Sequence, residues 1–148
     1  LDVGLMGGAI EGVRLQPVSA NSTIPTYDNK PVENIIDGSL STYWHGSSGP
    51  AIGSWLGVDL GSVREVTRVV VYMGGTSTSS FFPEGDLQLS VDGTSWADID
   101  WETFSTRHSG LEFAWFGKIE ARYIRYVATV ASGNWAQCRE FEVWGIPD

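Results

Sequence analysis

The run Val66-Thr67-Arg68-Val69-Val70-Val71-Tyr72-Met73 constrains the fold of this chain more than any other stretch. Val and Thr branch at Cβ, which costs side-chain freedom in a helix and suits a pleated surface. The run therefore predicts a buried central strand. The segments around it alternate with period two. Leu56, Val58 and Leu60 share one face, with Trp55, Gly57 and Asp59 on the other. Leu87, Leu89 and Val91 alternate with Gln88 and Ser90 up to a turn at Asp92-Gly93. Val13 and Leu15 open a strand that stops near Pro17, and Leu111–Phe116, Tyr123–Val130 and Glu140–Trp144 complete the set. No window longer than a turn or two carries a helical apolar period, and Gly and Pro punctuate the strands throughout. Many short strands separated by turns predict an all-β sandwich of two antiparallel sheets.

At 148 residues the chain is long enough for one domain with a single sizeable core. Residues 1–11 are Gly-rich and read as a linker or the remnant of a preceding domain, leaving 12–148 as one module. The first residue is Leu rather than Met, so the chain looks like an excised part of something larger, its targeting signal left behind. Nine Lys and Arg against 18 Asp and Glu give a net charge of −9, a field that repels nucleic acids and anionic membranes and favours a neutral ligand. No apolar run approaches the length of a membrane span. The lone Cys138 can form no internal disulfide and gives no reading of redox compartment.

Catalysis finds no support. The chain has no nucleophile elbow, no zinc-binding helix motif and no phosphate-binding glycine loop. His45 and His108 are its only histidines, neither with a second ligand at metal-binding spacing. Binding chemistry is better represented, on the loops that a rigid sheet would hold: residues 19 to 33, 43 to 54, Gly74 to Gly85 and Ala131 to Arg139. Gly133-Asn134-Trp135 sets an aromatic ring beside an amide. A ring can cover the apolar C–H face of a sugar while an amide bonds its hydroxyls, but the same Trp could equally plug the end of a sandwich. Trp44, Trp96 and Trp144 lie in or beside alternating strands and read as core, and Trp55 as core or rim. Gly74 to Pro83 mixes small hydroxylated residues, Ser79 among them, with Phe81 and Phe82, of which one is expected to be exposed. Asn21-Ser22-Thr23 matches the glycosylation sequon, a pattern too short to weigh much. Near the start of the chain, Asp37, Gly38 and Thr42 place hard oxygen donors on a tight turn, chemistry suited to calcium. Glu140 opens the last strand as a second carboxylate. Each half alone is more simply an ordinary turn and an exposed strand residue.

Their order and flanking aromatics change that balance. Asn34-Ile35-Ile36-Asp37-Gly38, Thr42-Tyr43-Trp44-His45 and Trp55 to Gly61 resemble the discoidin-like, or coagulation factor V/VIII type C, domains. So do Leu89 to Trp96, Ala121 to Tyr126 and Glu140 to Gly145. The likeness covers about residues 12 to 146, and within the superfamily the chain is most similar to family 32 carbohydrate-binding modules, ancillary domains of secreted bacterial glycoside hydrolases and sialidases. The resemblance implies an eight-stranded antiparallel jelly-roll β-sandwich of the galactose-binding-domain type. It also implies a structural Ca2+ held by Asp37, Thr42 and Glu140, with backbone oxygens of Asn34, Ser39 and Arg139 completing the shell. The family often carries Asp or Asn where this chain has Ser39, a difference that a carbonyl ligand would survive.

The resemblance implies a non-catalytic module that binds the terminal sugar of host or mucin-like glycans and targets a larger secreted glycoside hydrolase. The expected sugar-binding residues are Trp135, Asn134, Phe81, Phe82, His45, Tyr27 and Ser79. The Ser-rich loop and the Asn134-Trp135 pair favour an N-acetylglucosamine-type ligand over a galactose-type one. The module is expected to be monomeric within a bacterial enzyme, secreted or at the cell surface, with no nucleic-acid or membrane partner. The alternative is a protein-recognition or adhesion module on the same scaffold.

Overall fold

The computed structural model describes residues 12–75, 82, 84–104 and 112–147. The expected linker at 1–11, and Ser79, Phe81 and His108, lie outside the described residues. Eight strands are present: β1 (Val13–Leu15), β2 (Ser19–Ser22), β3 (Trp44–His45), β4 (Trp55–Met73), β5 (Gly85–Ser90), β6 (Ala97–Ile99), β7 (Glu112–Ala128) and β8 (Gln137–Gly145). A 3-10 turn at Val32–Ile36 and a single helical turn, α1 (Trp101–Phe104), are the helical pieces described.

Every pairing between these strands is antiparallel. Two strands are long enough to serve both layers of the sandwich. The first half of β4 lies between β2 and the second half of β7, which continues to β5 and β6. The second half of β4 lies between β8 and the first half of β7, with β1 beyond β8. The change of layer falls at a bulge: Asp59 pairs with Tyr123 and Arg64 with Ala121, so Leu60 to Val63 on β4 stand opposite Arg122 alone. Such surplus residues bend a strand and raise its twist. Gly61 sits in that bend at φ +85, a conformation available to glycine and costly for a side chain.

The inner faces follow from the register. In one layer Phe141, Val71 and Phe113 stand side by side, as do Val143, Val69 and Trp115. In the other, Ala20, Val58, Ile124 and Leu89 make one row, and Leu56, Tyr126 and Leu87 the next. All these residues are buried in one core cluster. Burying a side chain of Leu or Phe size stabilises by roughly 1.5–3 kcal/mol, so these rows hold the layers together.

Several expectations change. The strands expected at Leu56–Leu60 and Val66–Met73 are one bent strand, as are those at Leu111–Phe116 and Tyr123–Val130 over their described residues. Ser19–Ser22, expected in a loop, pairs with β4 as a strand. Phe82, expected among the sugar-binding residues, is fully buried. Its ring lies 5.5 Å from that of Tyr126, whose hydroxyl donates to the Phe82 carbonyl at 3.1 Å. It is a core residue with no face to offer a ligand. Trp44 is core as expected, but Trp96 and Trp144 are only half-buried and each lies against an arginine.

Candidate functional site

Three loops meet beside β3. Thr26 bridges Gly46, the Tyr27 amide donates to the His45 carbonyl, and the His45 amide to the Lys30 carbonyl. From the other side, the Gly46 amide donates to the Ala136 carbonyl and the Ala136 amide to that of Ser48. Gly49 approaches so closely that a Cβ there would lie 2.3 Å from the Asn134 carbonyl oxygen. Asp28 takes up the turn at φ 61, a left-handed conformation that Asp tolerates better than most residues.

This lacing gathers three rings. Trp135 lies 5.3 Å from Tyr27 and 5.0 Å from His45, and Tyr27 and His45 are 5.0 Å apart. Trp135 is 45% and Tyr27 50% exposed, so the cluster faces solvent rather than plugging the sandwich. His45 Nδ1 lies 2.8 Å from the Gly46 carbonyl. A carbonyl only accepts, so that nitrogen carries the proton and Nε2 of the neutral ring is left as an acceptor. Asn134, exposed beside Trp135, is positioned by its backbone N–H, which donates to Ser132 Oγ at 3.1 Å. Tyr43 adds a fourth ring 6.4 Å from His45, with the Lys30 ammonium 5.8 Å from its centre. Thus Trp135, Asn134, His45 and Tyr27 come together, while Phe82 does not join them. Lys30 and Tyr43 were not anticipated at this site: nothing near Lys30 distinguishes it from an ordinary loop residue, and Tyr43 entered only as part of the Thr42 to His45 family likeness.

The second candidate lies where the Asp37 loop meets β8. Asp37 accepts the Ser39 amide at 3.0 Å and the Thr42 hydroxyl at 2.5 Å, and the Asn34 side chain donates to the Tyr43 carbonyl at 2.9 Å, clasping the loop. Glu140 is buried under it. One carboxylate oxygen accepts from Arg14 at 2.6 Å; the other, Oε1, is buried without a hydrogen-bond partner. Burial pushes the Glu140 carboxyl up to about 7; Arg14 and the Gly38 amide oppose the rise and the Asp37 charge adds to it. A buried, unmet carboxylate oxygen facing a loop of oxygen donors fits a hard cation. Among the described residues no group of three or more His, Cys, Asp or Glu side chains gathers, so a cation at this joint would draw on the two carboxylates Asp37 and Glu140 together with hydroxyl and carbonyl oxygens. Arg139 precedes Glu140 on β8, its Nε donating to the Met73 carbonyl at 3.2 Å. Arg14 was missed: it lies opposite Trp144 in the register of β1 with β8, a partnership set by tertiary pairing alone.

Among the described residues no helix is long and apolar enough to cross a membrane. The chain is 25% identical over 144 residues to a sialidase of Micromonospora viridifaciens; the match takes in 93% of this chain and 22% of that protein, so the chain spans about a fifth of that relative. It is similar to the family 32 carbohydrate-binding module of Clostridium perfringens NanJ, solved in complex with galactose (TM-score 0.70, 21% identity, 89% of this chain and 98% of that one). It is also similar to the family 32 module of AlyQ, solved with 4,5-unsaturated mannuronic acid (TM-score 0.66, 26% identity, 88% and 97%). These likenesses agree with the bent-strand β-sandwich described above. The F5/8 type C domain matches residues 17–141, and this chain belongs to that family of non-catalytic binding modules.

Proposed function

We propose that this chain is a carbohydrate-binding module that holds a larger secreted glycoside hydrolase on host or mucin-like glycans. The observation that carries the reading is the solvent-facing cluster of Trp135, Tyr27 and His45 with Asn134 at its edge. An indole face covers the C–H face of a pyranose, and His45 Nε2 and the Asn134 amide supply acceptor and donor groups for its hydroxyls. The sugars named for the two related modules, and the sialidase relative, support a glycan as ligand. The site takes a terminal sugar, because it is built from loop tips rather than along a groove. The ligand is of the N-acetylglucosamine type: three clustered rings offer apolar surface beyond one sugar face, which an acetamido methyl group can use. Affinity for one sugar is weak, since a shallow site offers few atoms against the entropy of association. Several modules on one enzyme would raise it by avidity.

The reading includes a structural calcium ion, supported by the unmet Glu140 oxygen. Asp37, Thr42 and Glu140 would hold it through side chains, and Asn34, Ser39 and Arg139 through carbonyls. It would tie the Asp37 loop to β8 and so fix the start of β3, which carries His45.

Calorimetric titration with N-acetylglucosamine and galactose tests the sugar site. The parent is expected to bind the first more tightly, and Trp135→Ala to lose binding with its circular dichroism unchanged. Equal binding by Trp135→Ala would move the site elsewhere, and a preference for galactose would overturn the ligand class. Glycan-array binding that free sugars fail to compete would favour the adhesion alternative.

A further inference from the structure

A hollow is built into the outer face of the β2–β4–β7 layer. There, Asn21 on β2 pairs with Gly57 on β4, Gly57 with Arg125 on β7, and Arg125 with Gln88 on β5. In the next outward row Ser19 pairs with Asp59 and Asp59 with Tyr123. Neighbours along and across a sheet face stand close enough to fill the surface between them, but Gly57 contributes no side chain at the centre of this lattice. A Cβ there would come within 2.5 Å of the Ile124 carbonyl oxygen and 2.7 Å of the Arg125 Cβ, so the position admits nothing larger than glycine. The result is a cavity of about 310 Å³. Trp55 stands at one side of it, and Trp96, from the β5–β6 turn, at another.

Its walls are held rigidly. The Arg125 guanidinium lies 3.7 Å from the Trp96 ring centre and 5.5 Å from that of Trp55, and its Nε donates to Gln88 Oε1 at 2.7 Å. Asp59 is fixed by Arg122 at 2.9 and 3.1 Å, and Arg122 in turn lies 4.9 Å from the Tyr123 ring. The charges balance: the hollow is lined by one carboxylate, Asp59, which pairs with Arg122, and one guanidinium, Arg125, whose partner Gln88 is bonded to Asp98 at 2.6 Å. A charge-balanced hollow in a chain of net charge −9 does not select an anion. Indole and phenol rings alternating with Asn21, Ser19 and Arg125 suit a neutral polyhydroxylated ring, which presents C–H faces and hydroxyl edges. Ligand pockets begin at about 300 Å³, so the space suits a single sugar unit.

We propose that the hollow over Gly57, walled by Trp55, Trp96, Arg125 and Asn21, is a second carbohydrate site for one neutral pyranose unit. It shares no residue with the Trp135 cluster and does not depend on that cluster binding sugar. Two sites on one module would engage two branches or units of the same glycan, raising affinity without any partner module.

The test is a proton–nitrogen NMR titration reading the indole N–H signals of Trp55, Trp96 and Trp135. The probes are N-acetylglucosamine, galactose, chitotriose and N-acetylneuraminic acid. With a neutral probe, the Trp55 and Trp96 signals are expected to move saturably, in the parent and equally in Trp135→Ala. Trp96→Ala and the exposed-residue variant Asn21→Ala are expected to weaken the Trp55 response several-fold and leave that of Trp135 intact. Still Trp55 and Trp96 signals with every probe, movement only with the acidic sugar, or loss of the response in Trp135→Ala would each overturn the proposal. A silent Trp135 beside responding Trp55 and Trp96 would refute the loop site and uphold this one.

Discussion

Phe82 and Trp135 are both large aromatics in loops, and their environments make opposite predictions. Phe82 is fully buried against Tyr126, so Phe82→Ala removes packed volume and leaves a cavity, at a cost of about 3–5 kcal/mol. Trp135 is 45% exposed, beside the exposed Tyr27 and the half-buried His45, so Trp135→Ala is expected to change stability by no more than about 0.5 kcal/mol. Urea unfolding of the two variants checks the contrast. A large loss in Trp135→Ala would make that ring structural. Neither outcome could be assigned from the local sequence, because Gly, Ser and Pro surround both Phe residues and mark only a loop. The burial of Phe82 rests on Tyr126, which packs against its ring and bonds its carbonyl from a strand more than forty residues away.

At the scale of elements, the bend in β4 creates the Asp59–Arg122 pair. The bulge leaves Arg122 alone opposite Leu60 to Val63, so its guanidinium reaches back to Asp59. The hydrogen bond from Arg122 is the main force holding the Asp59 carboxyl below its ordinary value; burial opposes it, and the Gly61 amide assists. A carboxyl depressed in the folded state contributes stability that is fully present above its unfolded value of about 3.9 and fades as pH falls through its folded value. Asp59→Asn is therefore expected to melt below the parent at neutral pH, with the gap closing only in strong acid. Part of this pair is open to solvent, and salt should narrow the neutral-pH gap as well. Thermal melts from pH 7 down to pH 2 check it; a gap that persists unchanged at pH 2 would show that the pair is not its source. The bend itself was half legible. The two apolar runs, Leu56 to Leu60 and Val66 to Met73, were read as separate strands, but whether the chain turned back or carried on into the other layer depended on how β7 paired across it.

For the whole molecule, the joint between the Asp37 loop and β8 ties residues over a hundred positions apart. If calcium occupies it, the native state alone holds the ion and stability rises by mass action, by about 2.7 kcal/mol at a hundredfold excess over the dissociation constant. The melting temperature is expected to rise with added calcium and fall with chelator. Asp37→Ala should abolish that difference, because it removes a charged ligand. An unchanged midpoint, with metal analysis showing no bound ion in either sample, would refute the ion. Arg14 would then stand as the charged partner of Glu140 among the described residues, a role its 2.6 Å contact already begins to fill.

Legible in the residue order alone were the all-β class, most of the strand positions and many of the inward residues, though Val91, which alternates with Leu87 and Leu89, is exposed and Ser90 is buried instead. Period-two alternation is written locally, and a one-residue slip would turn every apolar side chain to water. Asn134 and Trp135 were marked as well, because an amide beside an aromatic in a loop is visible without coordinates, and His45 and Tyr27 were offered on the expectation that the loops gather at one end of the sandwich. That these residues meet, that Phe82 is core, and that Glu140 faces Arg14 came from the folded chain. The hollow over Gly57 was hidden for the same reason: a glycine in a strand becomes a cavity only when β2 and β7 set Asn21 and Arg125 on either side. Those facts reside in register between distant segments, which long-range pairing fixes and no local pattern records.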